Sequence, residues 1–261
     1  MGSLSSTAAI LLMMYKLVNR HDSDASPNAY IDSGAREFWC CTFHNVSNFP
    51  HAEQVTKFKN IADSDRLDGK ATSLSIAYDG FYPGSARQTE EVISLARSPE
   101  DLNDLRILNT SIPAIFSHAS FLTPEGGELL RSTNQYVSIT PESEMHYGHD
   151  HLHSHLIQDQ AALGIDTHFT YSTDVITQNW HASSNSPMSV NQAFMLATCN
   201  GGLALRRPNL SVIAKGAKAD IVVWDGMSPG LLGWDDPVEA IIFHPHVDYI
   251  KHVLVDGTFV K

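Results

Sequence analysis

Cationic side chains are scarce in this sequence: 17 lysines and arginines stand against 29 aspartates and glutamates in 261 residues, a formal net charge of -12. Long-range repulsion of that sign weakens every encounter with a phosphate backbone or an anionic lipid surface, so neither nucleic acid nor a membrane is expected as a partner. Cysteine is scarce too. Cys40, Cys41 and Cys199 are an odd number without zinc-ribbon spacing, and adjacent Cys40 and Cys41 on a strand would face opposite ways. Reduced thiols and a cytoplasmic home follow as the expectation. No long apolar run is present: the stretch from Ala8 to Tyr15 is far short of the roughly 20 residues that a bilayer-spanning helix needs. No basic residue precedes it, so it reads as neither an anchor nor a signal peptide. Internal repeats and low-complexity tracts are also missing. What is left is an ordinary globular composition, long enough for one large domain with a sizeable core and without need of disulfide or metal staples.

The order of apolar runs indicates the fold class. Glu37 to Phe43 and Thr72 to Ala77 are short runs bounded by Gly, Asp and Asn, the pattern of buried strands, with polar loop or helix between them. Thr89 to Ala96 and Glu100 to Leu108 have helical spacing. Ile112 to Phe116 is again strand-like, Pro124 to Thr133 helical and Tyr136 to Ile139 a strand. Strand and helix alternate, which favours an α/β fold with a parallel sheet or barrel. The first 30 residues, including the polar stretch from His21 to Asn28, carry no clear period. Ser189 followed by Gln192 and an apolar run starts a helix that is expected to stop at Gly201-Gly202. Beyond Arg206 the pattern changes to short strands at Ala219 to Trp224, Ala240 to Phe243 and Tyr249 to Val255. The last of these turns through Asp256-Gly257 into Thr258 to Val260, a hairpin signal.

Histidine is the abundant residue, with 14 copies, densest at His146, His149, His151, His153, His155 and His168. Alternating His on a loop could bind a metal, since neutral imidazole is a common zinc ligand, or could be a solvated polar loop. Two other residues sit where barrel enzymes keep their chemistry, at the carboxyl ends of strand-like runs. His118 follows Ile115-Phe116-Ser117, and Asp166 follows Leu163-Gly164-Ile165. A hydrogen-bonded core histidine and a turn or cap aspartate are the plainer readings of the same two positions.

Lys215-Gly216-Ala217-Lys218-Ala219-Asp220-Ile221-Val222-Val223, followed by Val253-Leu254-Val255-Asp256-Gly257, resembles the amidohydrolase superfamily. There, phrases of this kind belong to a small β-sandwich built from both chain ends beside a (β/α) barrel. Ala197-Thr198 and Gly201 to Leu205 match the helix before that sandwich. Phe116 to Ser120, Ser138 to His149 and Leu163 to His168 look like strands six, seven and eight of the cytosine deaminase and chlorohydrolase-like branch. The resemblance covers roughly residues 30 to 261. It implies an incomplete TIM-type barrel over residues 1–205 and a C-terminal β-sandwich segment over 206–261. It also implies hydrolysis of a non-peptide C–N bond in a small, often cyclic, substrate by a metal-activated water. In that branch a divalent zinc or iron is held by a His-x-His pair from strand one, a His from strand five and an Asp from strand eight. Carried over, His118 is the sixth-strand His that contacts water or substrate, and Asp166 is the metal ligand and proton acceptor. Glu144, His146 and His149 lie where the family contacts substrate.

The sequence departs from that pattern in definite places. No His-x-His pair precedes residue 30; His151-x-His153 and His153-x-His155 fall after strand seven, and His244-x-His246 falls in the sandwich. No histidine occurs between Leu95 and Pro113, where the fifth-strand ligand belongs, and the stretch from Gln178 to Asn185 is short for the family. Three of the four ligands are thus missing, which sets the metal expected from the family against the residues present. A truncated or eroded relative is the simplest expectation, with an open barrel edge that invites self-association. Three readings follow: a metal-dependent C–N hydrolase, a non-catalytic relative that binds a small molecule or partner, and a metal-free enzyme using His118 or Asp166 as acid or base.

Overall fold

The computed structural model of the protein describes residues 4–7, 14–15, 22–80, 84–96, 113–118, 122–148, 157–166, 188–244 and 246–260. The chain divides into two compact units, one formed by Leu11–Ile112 and the other by Met1–Ile10 with Pro113–Lys261.

In the first unit, β2 (Met14–Tyr15), β3 (Glu37–Thr42) and β4 (Thr72–Ala77) form a parallel sheet in that order. All six residues of β3 are buried, as befits a strand covered on both faces. The helices are α1 (Asp22–Ser33), α2 (His51–Ala62) and α3 (Ala86–Ala96). Trp39, Cys41 and Phe43 pack with Val55, Phe58 and Ile61 of α2 and Val92 of α3. Helix α1 is a correction to the patternless reading of the first 30 residues. It carries Pro27 inside and has no apolar stripe to announce it. The expected helix from Glu100 to Leu108 lies outside the described residues.

The second unit holds another parallel sheet, β5 (Ile115–Ser117), β6 (Tyr136–Ile139) and β7 (Ala161–Leu163), in that order. After β5 comes α4 (Pro124–Ser132), capped by Thr123, whose side chain accepts from the Gly126 N–H; after β6 comes α5 (Pro141–His146). Val137, Ile139, Ala161 and Leu163 pack against Leu130 of α4, Ala193 and Leu196 of α6 (Val190–Ala197) and Ile242. Ser189 caps α6 with a full capping box: Gln192 N–H donates to Ser189 Oγ, and Ser189 N–H to Gln192 Oε1.

The chain does not stop at Gly201-Gly202. After a break at Thr198 it continues as α7 (Cys199–Ala204). Gly202 serves close packing: a Cβ there would lie 2.8 Å from the Leu210 carbonyl oxygen. The other correction is Ala240 to Phe243, which is the end of a helix, α8 (Pro237–Phe243), and not a strand. Asp236 accepts the Val238 and Glu239 N–H groups, with Pro237 at the first helical position, so the start signal outweighs the β-rich apolar run.

An antiparallel sheet completes this unit in the order β1 (Leu4–Thr7), β8 (Ile221–Trp224), β9 (Ile250–Val255) and β10 (Thr258–Phe259). Both chain ends therefore contribute to one sheet, with Leu4 paired to Trp224 and Thr7 to Ile221. The β9–β10 hairpin turns through Asp256 and Gly257, both at positive φ (49° and 78°), which Asp and Gly tolerate. The three cysteines are unpaired, and burial pushes the Cys40 and Cys41 thiols up to about 12. Among the described residues no helix is long and apolar enough to cross a membrane.

Candidate functional site

In the second unit, parallel strands β5, β6 and β7 deliver His118, Thr140 and Asp166 from their carboxyl ends. His118 immediately follows β5, and its backbone N–H still donates to the Ser138 carbonyl at 2.9 Å, so its main chain is tied to β6. His118 (φ 69°) and Asp166 (φ 66°) both adopt the left-handed conformation that L-residues rarely take. The other non-glycine residues in that region among the described ones are Asn134, Arg206, Ser211 and Asp256.

Thr140 lies between β6 and α5 and links the two. His118 Nδ1 is 2.7 Å from Thr140 Oγ1 and 3.5 Å from Glu144 Oε1. Glu144 reaches back from α5 to the start of its own helix, where Oε1 accepts the Thr140 N–H at 2.9 Å and the Thr140 hydroxyl at 3.3 Å. Pro141 opens α5 without needing a hydrogen-bond acceptor, since it has no N–H. One residue before Glu144, Ser143 Oγ donates to Asp166 Oδ2. A single short helix thus supplies partners to both residues that sequence reasoning placed on the rim.

Electrostatics follow from this arrangement. His118 is held above its ordinary value, chiefly by its hydrogen bond to Glu144, with the charges of Asp166 and Glu144 adding to the effect and burial opposing it. Thr140, Ser143 and Glu144 are buried, His118 is half-buried and Asp166 is exposed. Gly164 keeps β7 close to β6: its N–H donates to the Ile139 carbonyl at 2.7 Å, and a Cβ there would run into Ser138 Oγ and lie 3.0 Å from Thr140 Cγ2.

Of the expected substrate contacts, Glu144 is 2% exposed and committed to Thr140 and His118. His146 is exposed at the end of α5, edge-on to Tyr147 with ring centroids 5.2 Å apart. His149 lies outside the described residues, as do His151, His153, His155 and His168. Thr140 and Ser143 were missed by sequence reasoning; the signal available was Thr-Pro directly after a strand, a helix start placed on the rim. In the other unit, His44 after β3 and Asp79 after β4 form an ion pair at 3.7 Å, also from the carboxyl ends of parallel strands. His51 of α2 meets Glu91 of α3 at 3.1 Å. Neither pair was anticipated.

Among the described residues no group of three or more His, Cys, Asp or Glu side chains could hold a metal ion. Asp166 is a suitable oxygen donor, yet a catalytic zinc takes three protein ligands plus water. The described residues do not by themselves fit such an ion.

Polar side chains converge at the carboxyl ends of parallel strands with helices on the sheet, the arrangement of an α/β fold, in which sites are commonly built at that edge. The profile of the Amidohydrolase family matches residues 88–260, and the chain belongs to that family. No curated protein sequence matches the chain. Solved structures do. A zinc-bound adenosine deaminase from Xanthomonas campestris aligns with a TM-score of 0.79 at 17% identity, over 95% of this chain and 65% of that one. A mutant atrazine chlorohydrolase from Arthrobacter aurescens TC1, complexed with zinc and atraton, gives 0.77 at 15% identity, over 96% and 68%. A guanine deaminase from C. acetobutylicum with bound guanine gives 0.71 at 15%, over 98% and 72%. The chain therefore spans about two thirds of the length of these proteins, and at such identities the likeness speaks for the fold.

Proposed function

We propose that the protein is a hydrolase acting on a non-peptide carbon–nitrogen bond of a small, cyclic substrate, with His118 and Asp166 as the catalytic pair. The observation that carries this reading is that both residues follow parallel strands of one sheet, β5 and β7 on either side of β6, and are tied together through α5 by way of Thr140, Glu144 and Ser143. Family membership and the deaminase and chlorohydrolase folds support it. On this reading residues 1–205, apart from β1 in the antiparallel sheet, correspond to part of a TIM-type barrel and 206–261 to the sandwich segment, in a cytoplasmic protein.

The chemistry assigned to the chain's own residues is proton transfer. Asp166 takes a proton from the attacking water, the new C–O bond forms at the ring carbon, the bond from that carbon to its amino nitrogen breaks with the electron pair going to nitrogen, and the departing amine receives the proton from Asp166. His118 hydrogen-bonds the water or the oxygen it becomes. General acid–base help of this kind contributes about 10²- to 10⁴-fold. His146 and His149 are proposed to contact the substrate from the chain after β6.

A divalent zinc or iron, as in the zinc-bound relatives, lowers the pKa of a bound water when present. Asp166 is the one described residue proposed to hold it. Elemental analysis of the purified protein tests this directly. Stoichiometric zinc or iron in the wild type that is lost in Asp166→Asn supports the reading. Metal-free protein with full hydrolytic activity removes the metal from it.

A further inference from the structure

Resting on the assignment of His118 to the site, we infer that Glu144 is a positioning residue that acts on the reaction only through His118, fixing by way of Thr140 which ring nitrogen carries the proton. The argument is one of hydrogen-bond direction. Glu144 Oε1 accepts both the backbone N–H and the hydroxyl of Thr140, at 2.9 and 3.3 Å. A carboxylate oxygen has no proton to give, so the Thr140 hydroxyl spends its single hydrogen on Glu144. Its oxygen, 2.7 Å from His118 Nδ1, is left as an acceptor. An N–H at Nδ1 is the arrangement that satisfies both oxygens, because Nδ1 also lies 3.5 Å from Glu144 Oε1, where a ring lone pair would face a carboxylate oxygen.

In the neutral ring this leaves Nε2 as the nitrogen with a lone pair, the form that accepts a proton or hydrogen bond from water or substrate. Free histidine in water has no carboxylate to impose this choice. The backbone reinforces the arrangement: the His118 N–H is fixed to the Ser138 carbonyl, and Glu144 sits on the first turns of a helix that starts at Thr140. Glu144 is almost fully buried, so a direct contact with a bound substrate is not what its carboxylate is built for. Its burial, otherwise costly for a carboxylate, is compensated by the three donors that converge on it.

The test is the tautomer of His118, read by two-bond ¹H–¹⁵N NMR of the full chain labelled in its histidines, above the pH at which the ring titrates. His118→Gln identifies the resonances by their disappearance. The expected result is an Nδ1–H to Nε2–H ratio of about tenfold or more in the wild type, as a charge-assisted hydrogen bond implies. In Thr140→Val, which removes the relay hydroxyl while keeping the shape, that excess falls severalfold. In Glu144→Gln it falls as well, and turnover falls with it, while Glu144→Asp restores part of both.

An Nε2–H tautomer in the wild type overturns the proposal. So does a wild-type ratio that is unchanged in both Thr140→Val and Glu144→Gln. If Glu144→Gln does not fold, the wild-type and Thr140→Val spectra decide. The tautomer is read without substrate, so a failed hydrolysis assay with the expected tautomer refutes the functional reading and leaves this inference standing.

Discussion

Glu37 opens β3 with both carboxylate oxygens buried and without a hydrogen-bond partner, next to its register partner Thr72, whose hydroxyl is equally buried and unpartnered. Burial pushes its carboxyl from 4.5 up to about 7. Folding therefore takes up a proton on Glu37 across that window. The stabilising neutral form is fully present below pH 4.5, and its contribution is lost as pH rises through about 7, because the folded value is the higher one. The displacement is worth up to about 3 kcal/mol. Denaturant unfolding followed from pH 4.5 to well above 7 should show the wild type losing that much more stability than Glu37→Gln, and parallel curves would refute the assignment. The positions of His118 and Asp166 after parallel strands were legible in the sequence because each closes an apolar run. Thr140 and Ser143 were not, since a threonine and a serine after a strand look like any polar turn until the fold brings β5 and β7 beside them.

At the scale of elements, the site depends on how closely β7 approaches β6. Gly164→Ala places a methyl against Ser138 Oγ and Thr140 Cγ2, so Thr140 must shift and its bond to His118 with it. A loss of about 1–3 kcal/mol is expected from such overpacking. Thermal denaturation would measure it, and the His118 ring resonances should move in the same variant. The helix starts give smaller, separate effects. Removing the cap of α6 in Ser189→Ala, or of α8 in Asp236→Ala, should cost about 1 kcal/mol each, measured as a shift in the denaturation midpoint at unchanged slope. These two caps also explain one success and one failure of sequence reasoning. Ser189 stood before a helical pattern and was read correctly. Asp236-Pro237 stood before Ala240-Ile241-Ile242-Phe243, whose β-branched and aromatic character pointed to a strand, and the cap prevailed. Gly201 and Gly202 misled in the opposite direction, because one of them is there for close packing against the Leu210 carbonyl and not to end a helix.

For the whole molecule, the alternation of strand and helix read from the sequence appears as two parallel sheets, one in each compact unit, with an antiparallel sheet that joins the two chain ends. Thr72–Ala77 and Tyr136–Ile139 match their predicted limits because short apolar runs with polar boundaries leave little choice of register. Helix α1 was illegible because nothing in its side-chain spacing marks a buried face. The account stands on the catalytic role of Asp166 in a hydrolytic site. The most direct measurement is ammonia release from a panel of aminated heterocycles by the full chain, supplied with zinc, beside Asp166→Asn. The account predicts release by the wild type and a loss of about 100-fold or more in the variant. No release by the wild type from any member of the panel, or equal release by the two proteins, would contradict it.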